Sequence, residues 1–120
     1  MGDLSPHFST YEFACHHCGR VKIPGQGFLS KLEALRSGTG RPLSIVSGYR
    51  CPAWNRAVGG ARQSWHLRGL AVDVHPGAYT VEEATHAGFR GIGVRGGLVC
   101  HLDDRAAPRP VIFNDPSRVM

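Results

Sequence analysis

In SWHLRGLAVDV, Ser64 to Val74, a histidine and an aspartate stand on either side of Gly69, and LVCHLDD further along adds a second histidine, His101, beside Asp103. Leu70, Val72 and Val74 alternate with Ala71 and Asp73, the pattern of a half-buried strand whose Asp73 faces away from the apolar side. The same parity predicts Val99, His101 and Asp103 on one face of a second strand, with Leu98, Cys100 and Leu102 on the other. His66 would return to Asp73 from the turn before the first strand. Two imidazoles and a carboxylate, from His66, Asp73 and His101, form a zinc-type donor set. With three protein ligands a tetrahedral zinc keeps one position for water, as catalytic rather than structural sites do. Spacing alone also admits a plainer reading, because a chain with seven histidines places such pairs by chance, beside a small sheet and without a metal.

CHHCG, Cys15 to Gly19, is a second metal-like feature, since a C-x2-C turn can offer two thiolates to zinc. No second C-x2-C pair follows, so only His16, His17, Cys51 or Cys100 could complete a four-donor set. Buried or free thiols are the first expectation here, a disulfide involving Cys51 the second, and a structural zinc at Cys15 and Cys18 the third.

The elements that must position these residues fit one domain. The chain has 120 residues, of which 42% are hydrophobic and 19% charged, and its sixteen glycines and eight prolines indicate a loop-rich globule rather than a helical bundle or a disordered chain. Phe28, Leu32 and Leu35 recur at helical spacing, and Gly38 is placed to end that helix. Leu43 to Ser47 reads as a short strand, with Tyr49 and Arg50 just beyond it, aimed at a cleft. Pro52 suits the first turn of a short helix. Thr80 and Glu83 make a capping box for a helix ending near Ala87. Phe89 to Val94 and Leu98 to Leu102 form a hairpin over Arg95-Gly96-Gly97. Phe8, Tyr11 and Phe13 are expected to pin an N-terminal arm, residues 1–20, to the core. An extended tail, residues 106–120, should fold Val111, Ile112 and Phe113 back onto it.

The net charge of +5 suits acidic surroundings or simple solubility. No run of Lys and Arg and no RNA-binding signature points to specific nucleic-acid recognition. No apolar run is long enough to span a bilayer, and Pro6 stands where a myristoylation motif requires Ser or Thr. The opening MGDLSPHFSTYEF shows no signal peptide, so synthesis in the cytoplasm and a monomer are expected.

Taken together, SGYRCPAWN (Ser47 to Asn55), VGG (Val58 to Gly60), S-x-H-x2-G-x-A-x-D (Ser64 to Asp73), GIGV (Gly91 to Val94) and VCHLD (Val99 to Asp103) occur in an order that resembles the zinc D-alanyl-D-alanine carboxypeptidase family of peptidoglycan peptidases. That family includes vancomycin-resistance dipeptidases and phage endolysins and is related in structure to the sonic hedgehog signalling domain. The resemblance covers roughly residues 8 to 105. It implies an α+β fold, a small single domain in which an antiparallel sheet floors a zinc cleft and short helices pack around it. It also implies that His66, Asp73 and His101 hold one catalytic zinc, that Arg50 contacts substrate, and that Ser64 helps to shape the site. The implied activity is zinc-assisted hydrolysis of peptide bonds in peptidoglycan stem peptides or cross-bridges, of the carboxypeptidase or the endopeptidase type, acting at the cell wall after release or delivery.

Related peptidases place a general base two, three or five positions before the final histidine, where this chain has Val99, Leu98 and Gly96. None can take a proton. Asp103 is therefore the candidate base, although it could instead orient His101 by accepting its free N–H, and His75 competes for the role. Two alternative functions follow: a zinc-holding but inactive cell-wall or protein-binding module, and a basic nucleic-acid-binding protein with structural zinc at CHHCG.

Overall fold

A computed structural model describes residues 2–114; the last residues of the expected tail, 115–120, lie outside the described residues. The first helix, α1 (Gln26–Thr39), buries Phe28, Leu29, Leu32 and Leu35 along one face. Gly38 does not end it. The helix continues to Thr39 and closes at Gly40, which takes the left-handed conformation (φ 68°) and returns its N–H to the Arg36 carbonyl. Gly38 has no positive φ and stays within the helix. The short helix α2 (Pro52–Ala57) starts with Pro52 in its first turn, and the Cys51 thiol caps it by accepting the Trp54 N–H. In α3 (Val81–His86) the capping box is complete: Thr80 Oγ1 accepts the Glu83 N–H, and Glu83 Oε1 accepts the Thr80 N–H at 2.9 Å.

Five strands form one sheet: β1 (Ile45–Ser47), β2 (Ala71–Val74), β3 (Gly91–Arg95), β4 (Leu98–Asp103) and β5 (Val111–Asn114). Their spatial order is β1-β2-β4-β3-β5. All neighbours are antiparallel except β3 and β5, which run parallel with Gly91 opposite Val111. The sheet is thus mixed, a correction to the antiparallel floor expected from sequence. Its cause lies in the tail, which crosses back after β4 and adds β5 to the free edge of β3 instead of simply lying on the core. Val111 and Ile112 remain exposed at 41% and 52%.

A register shift in the β3–β4 hairpin corrects the predicted strand faces. Gly93 pairs with His101 but Val94 pairs with Val99, so β4 spends one extra residue, Cys100. Such a bulge breaks the two-residue alternation. Val99 therefore joins Leu102 in the core, while His101 and Asp103 keep the functional face.

The core lies between α1 and the sheet, with Phe28, Leu32 and Leu35 meeting Val72, Val74, Ile92, Val99 and Leu102. Phe8 and Phe13 anchor the N-terminal arm there, their rings 6.3 Å apart, whereas Tyr11 is 77% exposed and pins nothing. Each fully buried phenyl ring contributes about 1.5–3 kcal/mol relative to exposure. Among the described residues, no helix is long and apolar enough to cross a membrane.

Candidate metal centre

β2 and β4, adjacent in the sheet, put Asp73 directly opposite His101. His66 arrives from a 3₁₀ turn, Trp65–Arg68, which Ser64 caps by accepting the His66 N–H at 3.2 Å. Gly69, left-handed at φ 72°, ends that turn and sends the chain into β2. One donor atom from each of His66, Asp73 and His101 lies within 4.8 Å of the others, and all three residues are buried. His66 Nε2 and His101 Nδ1 each stand 3.2 Å from the same oxygen, Asp73 Oδ1.

The opposite nitrogen of each ring is engaged. His66 Nδ1 lies 2.7 Å from the Gly48 carbonyl, a contact that requires a proton on Nδ1 and leaves the Nε2 lone pair aimed at Asp73. His101 Nε2 lies 2.7 Å from Asp103 Oδ2, which leaves Nδ1 aimed at the same point. Histidines that bind metals are commonly fixed in this way, by a backbone carbonyl on one and a carboxylate on another. The donor set therefore fits zinc in chemistry, in ring orientation and in number.

Arg50 is buried, with 1% exposure, behind Asp73. Its Nη2 donates to Asp73 Oδ2 and its Nη1 donates to Asn55 Oδ1 at 3.1 Å. Gly60 closes this side, because a Cβ there would stand 2.7 Å from Arg50 Nη1. Arg50 is thus drawn to Asp73 of the candidate donor group but does not line the cleft, whereas Ser64, His66, His101, Asp103, Arg105 and Phe113 do. His75, the competing base, is exposed beyond the end of β2 and is not part of that lining.

Asp103 has neither oxygen free. Arg105 donates Nε to Oδ1 at 2.8 Å and Nη2 to Oδ2 at 2.7 Å, a two-pronged grip shared with His101. Sequence reasoning missed Arg105, although its position two residues after Asp103 was visible. It also missed Phe113, whose ring packs edge-on against His101 at 5.4 Å and lies under the Arg105 guanidinium at 5.0 Å. No local signal marks Phe113, because only the crossover of β5 brings it here.

Charge follows from these contacts. Burial opposes ionisation of Asp73, but the two histidines outweigh it and hold the carboxyl well below the usual range. Burial likewise opposes ionisation of Asp103, and Arg105 with His101 overcomes it. The two rings diverge. Burial, helped by the Arg50 charge, pushes His66 down, whereas His101, caught between two carboxylates, is raised against its burial to about 9.

The cleft holds about 330 Å³, near the lower end of the roughly 300–1,000 Å³ typical of small-molecule pockets. A larger depression of about 600 Å³ between α1 and α3 has Glu82, Glu83 and His86 in its wall, but none of them belongs to a group of converging metal donors. Chemistry rather than size thus selects the smaller cleft. Cys15, Cys18 and Cys51 form a separate convergence, with their sulfurs within 4.8 Å of one another.

No curated protein matches this sequence. The family model described as Peptidase M15 matches residues 6–103, from the N-terminal arm through Asp103, and so spans the three candidate ligands and every strand but β5. With that match over most of its length and a two-histidine, one-aspartate centre on adjacent strands, the chain belongs to the peptidase M15 family of zinc-dependent metallopeptidases.

Proposed function

We propose that this peptidase hydrolyses peptide bonds in bacterial peptidoglycan, in stem peptides or cross-bridges, with one zinc held by His66 Nε2, Asp73 Oδ1 and His101 Nδ1. The observation that carries the reading is the convergence, among the described residues, of three donors from His66, Asp73 and His101, the two histidines lining a cleft, a set that leaves room at a tetrahedral ion for a fourth, exchangeable partner. When bound, zinc supplies Lewis acidity toward water and toward the scissile carbonyl.

The chain's own residues do the rest. Asp103 holds His101 in the tautomer that presents Nδ1, and Arg105 keeps Asp103 ionised for that task. Among the described residues Asp103 is also the one carboxylate that lines the cleft, and it is the proposed proton acceptor. Arg50 orients Asp73 by donating Nη2 to its Oδ2, and the same guanidinium is the proposed contact for substrate charge. Ser64 shapes the turn that delivers His66. The small cleft suits short cell-wall peptides, and the net charge of +5 suits an acidic wall polymer.

Digestion of purified peptidoglycan, with mass analysis of the fragments, tests this reading. Zinc-loaded protein should release peptide fragments, a chelator should stop release, and added zinc should restore it. A folded protein of verified zinc content that releases nothing would leave the inactive binding module in its place.

A further inference from the structure

The CHHCG segment supplies a second set of donors that the cleft does not use. The sulfurs of Cys15, Cys18 and Cys51 lie within 4.8 Å of one another, and His17 Nδ1 stands 3.4 Å from Cys51 Sγ. Two distant segments meet here. One is a tight turn in which the Cys15 N–H donates to the Arg20 carbonyl at 2.8 Å and the Gly19 N–H donates to the Cys15 carbonyl at 2.9 Å. Gly19 is left-handed at φ 75°, a conformation that only glycine adopts readily, and it lets the turn close with both thiols gathered toward Cys51. The other segment is the N-terminus of α2, where the Cys51 N–H reaches Cys15 Sγ at 3.4 Å. The His17 ring lies parallel to the Trp54 indole, 3° between planes, which keeps its nitrogen beside the thiol.

Packing does not account for this cluster, because Cys18 and His17 are both exposed. A disulfide would join only two of the three thiols and so does not account for the convergence of all three. We propose that Cys15, Cys18, Cys51 and His17 bind a second zinc ion as a closed, tetrahedral structural site. Four protein donors leave no position for water, which separates this ion in kind from the one in the cleft. Tetrahedral Zn–S bonds of about 2.3 Å place sulfurs about 3.8 Å apart, so the three sulfurs need only a small torsional contraction. The His17 ring, which reaches Cys51 Sγ but stands outside the group of three, must swing toward the other two sulfurs to complete the set. The site clamps the N-terminal arm to the residue next to Arg50, whose guanidinium holds Asp73.

The proposal is independent of the activity assigned to the cleft. Its test is zinc content and cobalt substitution of wild type, Cys18→Ser and His66→Ala, purified under reducing conditions with zinc supplied. Wild type should hold two ions, and each variant one. Cobalt in His66→Ala should show the intense near-ultraviolet bands of thiolate ligation, and cobalt in Cys18→Ser should lose them. Cys18 is exposed, so its substitution leaves the core intact; equal zinc in Cys18→Ser and wild type would overturn the proposal. So would a wild-type mass lowered by two hydrogens in a parallel preparation made with zinc but without reductant, the mark of a disulfide. Loss of the His66-dependent ion alone would count against the peptidase reading and leave this one standing.

Discussion

Gly91 and Asp103 face each other across β3 and β4 so closely that a Cβ at position 91 would stand 1.8 Å from Asp103 Oδ1. The carboxylate that orients His101 occupies the space where a side chain would be. Gly91→Ala must displace Asp103 or splay the hairpin, at a cost of about 1–3 kcal/mol for overpacking. Urea unfolding should show that loss, and zinc titration should show weakened binding in the cleft. Unchanged values in both would mean that Asp103 is free to move and does not fix His101.

Asp103→Asn should weaken zinc in the cleft by about 10- to 100-fold, the usual effect of removing a partner that orients a ligand. Competition with a chromogenic chelator reads this directly. A variant that binds zinc normally but loses kcat would assign Asp103 to proton transfer instead.

Arg50→Ala should affect the metal-free and zinc-loaded proteins unequally. Without zinc, the variant leaves the buried Asp73 carboxylate with less compensating charge, and breaking a buried pair costs about 3–5 kcal/mol. Bound zinc would supply the missing charge. Unfolding with and without chelator should therefore show a large loss in the first case and a smaller one in the second; equal losses would show that Arg50 acts through packing alone.

Glu33 ties the N-terminal arm to α1, accepting from Ser5 Oγ at 2.6 Å and from the His7 N–H at 2.7 Å. Burial opposes its ionisation, but these contacts outweigh burial and lower its pKa below 4.5. The folded state thus favours the carboxylate. This contribution is present above the unfolded value and is lost as pH falls through the lowered folded value. Glu33→Gln should remove it, costing no more than about 1 kcal/mol near neutral pH because the pair is partly exposed, and should flatten the stability profile below about pH 4.5. A variant profile that still falls as steeply there would assign the acid loss to other carboxylates.

Local rules made much of this legible. Phe28, Leu32 and Leu35 marked the buried face of α1, Thr80 and Glu83 marked the start of α3, and the alternation around Asp73 set its face. What escaped depended on the third dimension. The extra residue at Cys100 turns Val99 into the core, and no alternation pattern can show where a strand spends a residue without a partner. The burial of Arg50 depends on Asp73 and Asn55 meeting it from different elements. The triad of thiols needed Cys51 brought to a turn 36 residues earlier in the chain.

The parallel pairing of β5 with β3 sets a schedule for the nascent chain. β5 cannot follow β3 as a hairpin, so β3 keeps an open row of N–H and C=O groups until residues 111–114 have emerged from the ribosome and crossed back. A product that stops before Val111 would carry His66, Asp73 and His101 complete and lack both that cover and Phe113. It should be prone to self-association through the bare edge, so the penalty of early termination here is clumping rather than a missing ligand.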